Sequence, residues 1–94
     1  MAPPFTIERD SRRDEIDFAL AQQVSFTAIG AHYGIDQRTV SAYRRRMVDS
    51  QPRYFDRLRI GHRLPPHQAF LAAAMFAEHN RADFLRAAEA FFSH

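Results

Sequence analysis

The 94 residues contain no cysteine, no lysine, only three glycines and no long apolar run. Without cysteine there is no disulfide framework and no thiolate zinc site, as in proteins of reducing compartments. With glycine confined to Gly30, Gly34 and Gly61, no glycine-rich phosphate loop is present. The longest apolar stretch, Ala69 to Ala77, is too short to cross a bilayer. The start Met-Ala-Pro-Pro-Phe has neither the basic nor the apolar character of a secretory signal, so a cytoplasmic protein is expected. Strand-type alternation, internal repeats and low-complexity tracts are also missing. What remains is 46% hydrophobic and 26% charged, the balance of a chain that buries a core, although one of this length buries only a modest one.

All thirteen basic residues are arginine, and their distribution is uneven. Residues 36–66 carry eight arginines against three aspartates, whereas residues 1–35 and 67–94 are each net acidic. Codon usage accounts for the choice of arginine over lysine. The concentration in one segment marks a footprint for a polyanion.

Helical spacing organises the chain as all-α. Residues 1–10 read as an extended arm with two prolines. Asp10 or Ser11 caps a first helix over residues 11–23, with Asp14 and Glu15 suiting the positive end of its dipole. Arg13 and Asp17, at i and i+4, are expected to pair weakly on its wet face. Ser25 caps a second helix from Phe26 to Tyr33, closed by Gly34. Asp36 caps a third running to about Asp49, with Val40, Tyr43 and Met47 on its core face. A short basic helix with Tyr54, Phe55 and Leu58 follows and is stopped by Gly61. Leu64-Pro65-Pro66 reads as a stiff linker. Phe70, Leu71, Ala74, Met75 and Ala77 mark one further helix, and Phe84, Leu85, Ala88, Phe91 and Phe92 another. The expected organisation is an arm over 1–10, a three-helix domain over 11–50, a basic connector over 51–66 and a C-terminal helical hairpin over 67–94.

Two helices joined by a glycine turn also occur in plain helical bundles. Here, however, the small Gly30 and Ala31 sit where the helices must cross. Gly34 stands at the sharp turn, and Ile29, Tyr33, Ile35, Val40 and Tyr43 can fill the angle between the helices. The stretch from Phe26 to Arg46 resembles a prokaryotic helix-turn-helix. That resemblance covers about a fifth of the chain and implies that the second helix of the pair enters the major groove. Gln37, Arg38, Ser41 and Arg45 would then face base edges, with Gln37 suited to adenine and Arg38 or Arg45 to guanine. Thr27, Arg44, Arg46 and Arg53 would hold phosphates. Glu15 to Ala21, followed by this turn and the Arg44–Arg46 run, also resembles the N-terminal part of small terminase subunits of tailed phages. In those proteins the module marks DNA for packaging and later helices assemble a ring.

The expected function is a small DNA-binding transcription regulator acting on double-stranded DNA as a dimer or higher oligomer. A packaging subunit and a protein-interaction module whose arginines meet an acidic partner are the alternatives. Phe70, Phe76, Phe84, Phe91 and Phe92 are more rings than two short helices can hide, so they are expected at a self-association surface. No enzyme, cofactor or metal is expected. The five histidines lack ligand spacing, and no serine has a histidine and acid beside it.

Overall fold

A computed structural model describes residues 6–61 and 63–78. These residues form five α-helices: α1 (Arg13–Ala21), α2 (Phe26–Tyr33), α3 (Gln37–Ser50), α4 (Tyr54–Leu58) and α5 (Pro66–Glu78). No strand occurs among them, so the chain is all-α as its periodicity requires.

Helix α1 is central. Residues Ile16 through Ala21 are all buried, enclosed by α5 on one side and by α2 and α4 on others. It starts later than its capping signals suggest. Asp10 Oδ1 accepts from the Arg12 backbone N–H at 2.7 Å, which closes a local turn before Arg13 opens the helix. The helix also stops two residues short of the expected end, because Gln23 adopts a left-handed φ of 64°.

The N-terminal segment is not an extended arm throughout. Ile7–Arg9 form a 3-10 turn, and Ile7 is fully buried in the core. An isoleucine removed from water there contributes roughly 2 kcal/mol, enough to hold a short turn against the bundle.

The α2–α3 corner follows the sequence closely. Ser25 Oγ accepts from Ala28 N–H, and Asp36 Oδ1 accepts from Arg38 N–H, so both expected caps are made. Gly34 has φ 69°, and its N–H and that of Ile35 both donate to the carbonyl of Gly30. A Cβ on Gly30 would lie 2.4 Å from the Ile35 carbonyl oxygen, so the two helices cross at a distance only glycine permits. Ala31, expected to share that crossing, is exposed.

Helix α5 begins at Pro66, which takes the first helical position rather than ending a linker. It buries Ala69, Ala72, Ala73 and Phe76 against α1, with the Phe76 and Phe18 rings 5.1 Å apart. Phe76 therefore belongs to the core of its own chain and not to a self-association surface. Phe70 is half-buried, stacked on His32 at 3.9 Å and edge-on to Tyr33. Leu71 and Met75, two of the residues whose spacing marks this helix, are 68% and 52% exposed. The alanines took the core side because their small size lets α5 lie close to α1. Phe84, Phe91, Phe92 and the second helix of the expected hairpin lie outside the described residues.

Candidate nucleic-acid interface

Helix α3 presents two opposite faces. Val40, Tyr43 and Met47 are buried against the bundle. On the opposite face, Arg38, Ala42, Arg45 and Asp49 recur at i, i+4, i+7 and i+11, and all are exposed. Ser41, at the edge of that face, is half-buried. Ala42 and Asp49 were not singled out from the sequence, although the same spacing that selects Arg38 and Arg45 selects them. The Ala42 methyl suits contact with a thymine methyl, and the Asp49 carboxylate bounds the positive face at its C-terminal end.

Gln37 stands off this face. It lies toward α2, where Thr27 Oγ1 donates to Gln37 Oε1 at 2.5 Å. The bond ties the start of α2 to the start of α3, so two residues expected to touch DNA separately are joined into one polar unit. Both remain exposed.

The three consecutive arginines spread around α3 at steps of about 100°. Arg44 turns toward α4, its guanidinium 6.0 Å from the Phe55 ring centroid. Arg45 points outward and has no hydrogen bond, ion pair or ring contact among the described residues. Arg46 turns toward the N-terminal turn, where its Nε and Nη2 each donate to a carboxylate oxygen of Glu8 at 2.9 Å. Arg38 folds back on its own cap, with Nη2 3.1 Å from Asp36 Oδ2. Arg53 is exposed immediately before α4, as is Arg57 within it. The arginine guanidiniums hold Glu8 and Asp36 below the usual carboxylate range.

The Glu8–Arg46 pair has a pH signature. Its folded-state carboxyl is depressed, so its contribution is present at neutral pH and disappears as the pH falls through the folded value, below the ordinary glutamate pKa of about 4.3. Half-exposed and screened by solvent, the pair is expected to contribute no more than about 1 kcal/mol. Urea titrations at pH 6 and pH 3 should show the Glu8→Gln chain losing less stability on acidification than the native chain. An equal loss in both would show that the pair adds nothing to folding.

Behind α3 lies a polar core built around Asp17 and Tyr43. Asp17, expected on a wet face, is 1% exposed. Its two carboxylate oxygens accept from the hydroxyls of Tyr43 on α3 and Tyr54 on α4. Arg13 Nε donates to Tyr43 Oη at 3.1 Å and lies 3.7 Å from Asp17 Oδ2. Burial raises the Asp17 pKa, and the two hydroxyl bonds oppose that shift; burial and the Asp17 carboxylate raise both tyrosines. Nearby, buried Gln22 donates to the Leu58 carbonyl at 2.8 Å and accepts from Ile60 N–H at 2.9 Å. These bonds fix α3 and α4 on α1, and so orient the arginine face. The sequence signal was present but small: a carboxylate one helical turn from Arg13, with tyrosines elsewhere to meet it.

Among the described residues no group of three or more His, Asp or Glu could hold a metal ion, and no helix is long and apolar enough to cross a membrane. Comparison with family models, with characterised proteins and with solved structures returned no match to this chain.

Proposed function

We propose that the chain is a helix-turn-helix DNA-binding protein in which α3 enters the major groove of a duplex. The observation that carries this reading is the α3 outward face. Arg45 is exposed and uncommitted, Arg38 and Ala42 flank it at helical spacing, and α2 crosses behind through Gly30 and Gly34. In this reading Arg45 and Arg38 meet base edges, Ala42 meets a thymine methyl, and Ser41 touches the edge of the same groove. Arg44, Arg46 and Arg53 flank the helix as phosphate contacts, with the Thr27–Gln37 unit at its start. The role is that of a small transcription regulator. Self-association, which such a short reading helix needs for affinity, is supported by the exposed Leu71 and Met75 pair on α5. A ring-forming packaging subunit would share the DNA contact and differ in assembly size, which light scattering reads.

Titration of duplex DNA tests the reading. With three arginine phosphate contacts, affinity should fall on the order of 40-fold between 50 and 200 mM salt. Arg45→Ala should cost about 1–3 kcal/mol on the preferred sequence and relax one base position. Equal loss on every sequence would make Arg45 a phosphate contact. Absence of duplex binding at low salt overturns the reading.

A further inference from the structure

Arg46 has the placement of a phosphate contact, yet the Nε–Nη2 edge of its guanidinium is already taken. Glu8 meets the guanidinium with both carboxylate oxygens at 2.9 Å, the two-pronged arrangement that a phosphate also offers arginine. The carboxylate is not on a loose tether. Ile7, beside it, is fully buried, and the 3-10 turn packs on both α1 and α3. Arg45, one residue away on the same helix, has no such partner among the described residues, so the pairing is specific to the flank of α3.

We propose that Glu8 occupies, in the DNA-free protein, the place of a backbone phosphate on Arg46, so that the N-terminal turn competes with the duplex and sets its affinity. The proposal rests on the DNA-binding reading of α3. Binding then exchanges one anion for another at Arg46 instead of adding a contact. The turn would thus lower affinity and flatten the salt dependence without touching a base.

The test compares the native chain, Glu8→Gln, Arg46→Ala, the double variant of these two, and Glu78→Gln on one duplex across a range of salt. Glu78→Gln makes the same charge change at the far end of α5 and controls for net charge. Glu8→Gln is expected to bind about threefold to fivefold tighter, with a log–log salt slope steeper by about one. In the Arg46→Ala background Glu8→Gln should bring no gain, and Glu78→Gln should stay within about twofold of the native chain. Binding by Glu8→Gln alone would also support the competition. If the native chain binds and Glu8→Gln changes neither affinity nor slope, or if its gain survives Arg46→Ala, the competition is overturned while the reading of α3 stands. If neither the native chain nor Glu8→Gln binds at low salt, both fall together. A thermal melt of each variant confirms that the comparison is between folded chains.

Discussion

Asp17→Ala is expected to destabilise the fold by about 3–5 kcal/mol, the usual cost of removing one member of a buried charged cluster. The carboxylate is almost wholly out of water, and it accepts from two tyrosine hydroxyls on two different helices. Alanine leaves both hydroxyls without an acceptor, that of Tyr43 in the buried interior, and it leaves Arg13 facing Tyr43 with no compensating charge. Small domains have total stabilities toward the low end of about 5–15 kcal/mol, so this change would remove much of the margin. The midpoint of urea denaturation measures it. Asp17→Asn keeps the shape and one acceptor and should cost less, about 1–2 kcal/mol. Burial raises the folded-state pKa of Asp17, so the folded chain takes up this proton more readily than the unfolded chain. The native protein therefore gains stability from Asp17 as the pH is lowered through that window, and the asparagine variant does not. The deficit of Asp17→Asn should widen on acidification. A deficit that does not change with pH would show that Asp17 has the same affinity for protons folded and unfolded. In a Tyr43→Phe, Tyr54→Phe background, Asp17→Ala should cost clearly less, because the stranded hydroxyls are gone.

Gly30→Ala is the second large effect, and it acts on geometry. The added methyl would sit 2.4 Å from a backbone oxygen, Ile35 O, which cannot swing aside as a side chain would. Overpacking of this kind costs about 1–3 kcal/mol and more where the backbone must move. Alanine recovers up to about 1 kcal/mol of helix propensity. A net loss of about 2 kcal/mol is expected, together with a splayed α2–α3 angle. If α3 reads DNA as proposed, its attachment to α2 at this point means that duplex affinity should fall even under conditions where the variant remains folded. Gly34→Ala is the informative comparison. There is open space around Gly34, so the cost is only that of a left-handed alanine, about 1–2 kcal/mol, and the helix crossing is kept. Equal losses in stability and in DNA affinity for the two variants would show that the crossing distance at Gly30 is unimportant.

The two glycines and the two caps were legible because they are local. A left-handed residue after Tyr33 and oxygen acceptors at Ser25 and Asp36 answer to neighbours within a few positions. The core face of α3 was legible for the same reason, since Val40, Tyr43 and Met47 repeat at the helical period. Asp17 was misplaced because a carboxylate at i+4 from an arginine is, by local rules, a solvated pair. Only the arrival of Tyr43 and Tyr54 from distant parts of the chain makes its burial tolerable. The exposure of Leu71 and Met75 was hard to foresee because the nine central residues of α5, 69–77, are all apolar, and only His67 and Glu78 at its ends mark the face those two share. Two polar residues at the ends give periodicity little to choose a face by, and close approach to α1 selected the alanines.

Local chemistry alone decided that the chain is helical, where the α2–α3 corner turns and which segment carries the positive charge, because each depends on spacing along the chain. Tertiary contact alone decided which carboxylate is buried, which arginine is occupied by Glu8 and which is left bare. Those outcomes depend on groups brought together from positions up to 38 residues apart, and no short-range pattern encodes that meeting.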